Sequence, residues 1–155
     1  IAEKLADMRA IQNLLITNEK QFLQECRDEE IRERLEDMIE DDEKNLEIIE
    51  TTITQYGIQS KPKDKTQQML QHTQELAKSS HLSLYEKMAQ HELLKHGQVM
   101  SGLIVHKAAQ VVGKDVKEAL APLNIVNFEN RAHQEQLKGM LEYLGTYELT
   151  GEEPD

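Results

Sequence analysis

The chain predicts an all-α fold: a four-helix bundle with a short extra helix in the connection between its second and third long helices. Three observations carry this. Apolar residues recur three or four positions apart along most of the length, which is the helical period. The composition is rich in Leu, Ile, Met, Glu, Gln and Lys, with 4% aromatics, no tryptophan, seven glycines and three prolines. Two acid-terminated capping boxes, Ser83-x-x-Glu86 and Asp115-x-x-Glu118, mark helix starts.

The first helix spans Ile1 to Cys26 on the stripe Ile1, Leu5, Met8, Ile11, Leu15, Phe22 and Cys26. Asp28 caps a second, running to Tyr56 on Ile31, Leu35, Met38, Leu46, Ile49, Ile53 and Tyr56, with Gly57 followed by Ile58 as its stop. So short a connection makes the two antiparallel. Ile58 to Leu82 reads as a crossover with its own small helix around Met69, Leu70, Thr73, Leu76 and Ala77. The third long helix starts near Leu84 and runs to Gly113, with Tyr85, Met88, Ala89, Val99, Met100 and Leu103 facing inward. Pro122 kinks or restarts the last helix, which carries Leu123, Val126, Leu137, Met140, Leu141 and Leu144 to a stop at Gly145. The domain is thus 1–145, and 146–155 is a tail or linker. The long crossover suits a single-crossover arrangement better than a simple up-down one.

With 18 basic against 29 acidic residues, the formal net charge is −11, which argues against nucleic acid as a partner. No apolar run approaches the ~20 residues of a membrane span, so the expectation is a soluble protein without a membrane partner. The single Cys26 allows no internal disulfide, fits a reducing, cytoplasmic compartment, and reads as an inert core thiol. The start at Ile1 suggests a fragment or trimmed product. Serine nucleophile elbows, phosphate-binding glycine loops and paired CxxC motifs are absent.

Each long helix carries polar residues inside its projected apolar stripe. These are Glu19 on the first, Asp42 with Asn45 on the second, Glu92 and His96 on the third, and Asn130 and His133 on the fourth. All lie near mid-helix, where a bundle can bring them to one depth. Burying such acids demands a cation or a shifted pKa. A divalent ion held by carboxylates and imidazoles would meet that demand; so would a metal-free network bridged by Asn45 and Asn130. His96 is either an auxiliary ligand or the ion-pair partner of Glu92. His72, His81 and His91 are expected on exposed faces or in loops, His106 at the edge of its stripe, and Met8, Met38, Met88, Met100 and Met140 in the core.

In order, Glu19, Asp42-x-x-Asn45, Glu92 and Asn130-x-x-His133 fall at the positions of a di-iron pattern, and the chain resembles the ferritin-like superfamily. The phrase His91-Glu92-Leu93-Leu94-Lys95-His96-Gly97 and the stretch Leu123 to Leu137 look like the stress-associated bacterial ferritin-like domain. They also look like the N-terminal region of cyanobacterial proteins described as hemerythrin HHE cation-binding. The resemblance covers Ile1 to about Gly145. It differs at Asn45, where the family has His, at Asn130, where it has Glu, and at Asp42, a shortened Glu.

The resemblance implies a ferritin-like fold and a degenerate di-iron site of Glu19, Asp42, Glu92, His96, Asn130 and His133. The implied cofactor is iron or another divalent transition metal at low occupancy, with a role in iron handling or oxidative stress. The alternative is a metal-free helical dimerisation or docking module of a longer protein. The expected partners are a second copy, as a homo-oligomer (dimer), or a neighbouring domain.

Overall fold

The computed structural model describes residues 1–57 and 59–154; Ile58 and Asp155, which the sequence places after the second helix and at the end of the tail, lie outside the described residues. Among the described residues there are six helices and no strand: α1 (Ala2–Glu25), α2 (Glu29–Tyr56), α3 (Asp64–Lys78), α4 (Leu84–Val112), α5 (Lys114–Leu120) and α6 (Leu123–Thr150). The all-α expectation holds.

Local chemistry explains several of the ends. The Asp28 carboxylate accepts from Ile31 N–H at 3.0 Å and starts α2. Arg32 of the same helix reaches back to the Leu23 and Cys26 carbonyls, which the end of α1 leaves without intrahelical partners. Gly57 closes α2 in the left-handed conformation, φ 82°. At α4 the Ser83–Glu86 box is complete in both directions, at 3.1 and 3.2 Å.

Two expected signals turn out to do something else. Asp115-x-x-Glu118 is not a capping box. The chain re-enters helix directly at Gly113, whose carbonyl accepts from Lys117 N–H, so Asp115 already lies inside the first turn of α5. Gly145 is not a stop either, because α6 runs through it to Thr150 and ends at Gly151 with φ 75°. Residues 146–150, read as tail, are helical. Gly145 is buried against the Tyr85 ring, and a Cβ there would lie 2.9 Å from Cε2. The missing side chain serves close packing of α4 on α6.

The four long helices form a ring in which α1 packs on α2 and α4, and α6 packs on α2 and α4. Each neighbouring pair is antiparallel: Glu19 meets His91 and Gln12 meets Gln98, while Glu92 meets Gln134 and Gly102 meets Asn127. Helices α2 and α4 therefore run the same way, and the crossover that carries α3 spans the length of the molecule, resting mainly on α1.

Along this length the apolar core is split into two large clusters and a smaller one of Ile11, Leu14, Leu15 and Leu94, against which Leu70 of α3 packs. One large cluster holds Leu5, Met8, Ile49, Ile53, Val105, Ala109, Leu123 and Val126. The other holds Phe22, Cys26, Ile31, Leu35, Met38, Met88, Leu137 and Met140. Burial of side chains this size stabilises by roughly 1.5–3 kcal/mol each. Between the two large clusters lies a polar layer.

The inward face of α4 differs from the expected one. Met88 and Val99 are buried as expected, but Met100 and Leu103 are exposed, while His91, Lys95, Gln98, Gly102 and Val105 face the core. The helix is turned by about one residue from the most apolar projection. Its second half is apolar nearly all round, so hydropathy there selects no face.

Candidate functional site

The polar layer is built from mid-helix residues of α1, α2, α4 and α6, and its centre is a cation that the sequence reading did not pick out. Lys95 of α4 is fully buried. Its ammonium donates to Asp42 Oδ2 at 2.7 Å and to Asn130 Oδ1 at 3.2 Å, and lies 2.8 Å from His133 Nδ1. Glu19 Oε2 stands 3.5 Å away as a second, longer ionic contact.

Around this centre the other groups are layered. His133 Nδ1 is 3.3 Å from Asp42 Oδ1, and its Nε2 is 3.0 Å from Asp41 Oδ2 at the partly exposed edge of α2. His91 Nε2 pairs with Glu19 Oε2 at 2.9 Å, and its ring meets Phe22 edge-on at 5.1 Å between centroids. Gln12 donates to both the backbone carbonyl and the carboxylate of Asp42 at 3.1 Å. Gln98 donates to the Met8 carbonyl at 2.7 Å. The amide of Asn45, fully buried, finds no hydrogen-bond partner among the described residues.

The electrostatics follow from this geometry. Burial pushes Glu19 well above the usual carboxylate range, against the pull of Lys95. Burial acts the same way on Asp42, but the contact with His133 and the charge of Lys95 outweigh it and hold that carboxyl well below its usual range. Burial, reinforced by the charge of Lys95, pushes His91 down to about 3. Asp42 is thus held ionised beside Lys95, while burial drives Glu19 and His91, paired at 2.9 Å, toward their uncharged forms.

Of the residues predicted from sequence, Glu19, Asp42, Asn130 and His133 do converge. Glu92 and His96 do not. Both sit on the outer side of α4, where Gln134 reaches Glu92 Oε1 at 3.2 Å and His96 Nδ1 at 3.3 Å. His91, expected on an exposed face, is buried. The same rotation of α4 explains all three, and it also carries Lys95 inward. The spacing Lys87, His91, Lys95, Gln98, Gly102 traces the buried face, a polar row that an apolar projection discards. Cys26 is buried, and burial raises its thiol pKa, in keeping with an unreactive core thiol.

A metal does not fit this layer as built. Among the described residues no group of three or more His, Cys, Asp or Glu is placed so that it could hold a metal ion. The donors that approach one another are already spaced at hydrogen-bond distances around an ammonium, whereas metal–oxygen and metal–nitrogen bonds need about 2.0–2.2 Å.

The surface has a marked polarity. Helix α2 carries eleven acids against three cations, whereas Ser60 to Lys117 carries nine lysines against five acids. Seven of those lysines, at 61, 63, 65, 78, 107, 114 and 117, are exposed, and no acid occurs from Leu93 to Lys114. No helix among the described residues is long and apolar enough to cross a membrane.

No protein family model matches the chain, and no solved structure matches it. A protein of Nostoc sp. (strain PCC 7120 / SAG 25.82 / UTEX 2576) named DNA nickase is 60% identical over 155 residues, which is the whole of this chain and 44% of that protein. The chain thus spans less than half the length of the curated relative it matches. This finding corrects two expectations. A relative named for DNA nicking runs against a role in iron handling or oxidative stress, and equally against setting nucleic acid aside. The second error has a physical cause: a net charge of −11 sums over an acid-rich α2 and a lysine-rich stretch from Ser60 to Lys117.

Proposed function

We propose that this chain is a helical part of a DNA-nicking protein, and that its α3–α4–α5 side is the side that meets the DNA backbone. The observation that carries the reading is the 60% identity, along the whole chain, to the Nostoc protein named DNA nickase. The charge distribution supports the choice of side. Lysines at 61, 63 and 65 stand together on the exposed crossover, and those at 107, 114 and 117 follow on α4 and α5. Such cations bind phosphates by displacing counter-ions, whereas the eleven acids of α2 would repel them. The buried layer has a different part. The side chains of Glu19, Asp42, Lys95 and His133 are at most 1% exposed, so no phosphodiester can touch them, and their part is to hold four helices in register.

Because the chain matches 44% of the relative, nicking itself is proposed of the longer kind of protein. A neighbouring domain is then the partner this reading favours over a second copy, and the cytoplasmic location expected from sequence goes with it. Fluorescence anisotropy with a labelled duplex at low salt tests the reading. The expected result is binding that weakens steeply with added salt and falls by about tenfold in the triple variant Lys61→Glu, Lys63→Glu, Lys65→Glu. No binding at low salt, or binding indifferent to that reversal, would sink it.

A further inference from the structure

We infer that Lys95 takes the place of a metal ion: its ammonium is the internal counter-cation that lets four helices bury Glu19 and Asp42 in one layer, and while it is there the layer is closed to divalent metals. Its neighbours are donor types that metal sites also use, namely two carboxylates from α1 and α2, an imidazole from α6 and a further imidazole, His91, one turn away on α4, but among the described residues they are not placed to hold an ion. What differs is the centre. A flexible four-carbon side chain enters from α4 and delivers one positive charge to the point where the donors meet, at 2.7, 2.8, 3.2 and 3.5 Å from them.

Charge arithmetic explains why the substitution is self-consistent. A divalent ion would need both carboxylates ionised. An ammonium needs one, and Asn130 supplies its last partner with an uncharged oxygen. Glu19 is then free to pair with His91 instead. A metal entering the intact layer would also have to stand within a few ångströms of the ammonium with little solvent screening between them. Removing the amine reverses both conditions. It leaves Glu19, Asp42, His133 and His91, two potential negative charges and two imidazoles, which is the charge and donor type of a single divalent site.

The inference concerns the buried layer alone and stands apart from the DNA reading. Its test compares the natural chain with Lys95→Ala and with the charge-neutral pair Lys95→Met, Asp42→Asn, using Co2+ as a spectroscopic probe and Zn2+ as a diamagnetic one. The natural chain is expected to show no ligand-field absorption with Co2+ and a Tm that neither Zn2+ nor a chelator moves. Lys95→Ala is expected to bind about one Co2+ per chain with a tetrahedral-type spectrum, and to gain Tm with Zn2+. If Lys95→Ala does not fold on its own, refolding in Zn2+ replaces that measurement, and rescue supports the inference. The neutral pair should fold and ignore metal. Stoichiometric Co2+ in the natural chain, or a Lys95→Ala protein that neither binds Co2+ nor is rescued by Zn2+, would overturn the inference. A neutral pair that fails to fold would do the same, since charge balance would then not be what Lys95 provides.

Discussion

Lys95 of α4 donates to Asp42 of α2 across 2.7 Å, with both side chains fully buried, and this ion pair spans the diagonal of the ring of long helices. Neighbouring helices in the ring share both apolar and polar contacts, and α2 and α4, at opposite corners, reach each other here through a charge. Breaking such a pair on one side leaves the other charge uncompensated.

His91 and Glu19 make a pH-dependence that is hidden in the natural chain. His91 is pushed down to about 3 from 6.5, so on its own it adds stability near neutral pH that is lost as pH falls below about 6.5. Glu19 is raised above 4.5, so on its own it adds stability at low pH that is lost as pH rises above about 4.5. Between these values the two slopes have opposite signs, so each offsets the other. In Glu19→Gln the histidine slope should appear, with unfolding free energy rising by up to about 1.4 kcal/mol per pH unit from pH 4.5 to 6.5, because burial and Lys95, not Glu19, depress His91. Urea titrations across that range decide it, and parallel curves for the two proteins would refute the offset.

Asn45 has room for a more stable occupant. Its buried amide makes no hydrogen bond among the described residues, and an unsatisfied buried polar group costs about 1–3 kcal/mol. Asn45→Leu should raise the stability by about 1 kcal/mol in chemical denaturation. A loss of stability would mean that the amide is satisfied in solution.

Gly102 and Asn127 are coupled across the α4–α6 contact. A Cβ on Gly102 would lie 1.8 Å from Asn127 Oδ1, so the small helix-propensity gain of Gly102→Ala should be overridden by a clash of about 1–3 kcal/mol. Shortening the neighbour should relieve it. A double-mutant cycle with Asn127→Ala is expected to show the pair less destabilised than the sum of the single changes; additivity would place the two residues out of contact.

Glu92 and His96 should matter little. Their contacts are to Gln134 at the surface, and replacing both by Ala should change stability by less than about 0.5 kcal/mol. His133→Ala, which strips partners from Lys95 and Asp41, should cost roughly 2 kcal/mol or more. Thermal melts of the two variants separate the assignments, and a costly Glu92, His96 pair would return them to the core.

Read without a structure, the sequence determined a good deal: the all-α class, the small crossover helix, the cap at Asp28, the box at Ser83 and Glu86, and the mid-chain depth of Glu19, Asp42, Asn130 and His133. These depend on local spacing and backbone chemistry, which one strand of sequence contains. Only the tertiary structure decided the rotation of α4, the packing role of Gly145 and the identity of the central cation. Hydropathy ranks Lys95 among the most exposed residue types, and nothing local offsets that ranking. Its burial is stable only because Asp42, Asn130 and His133 arrive from two other helices, 53, 35 and 38 residues away along the chain. The uneven spread of charge along the chain, by contrast, was already in the sequence, although a summed net charge does not contain it.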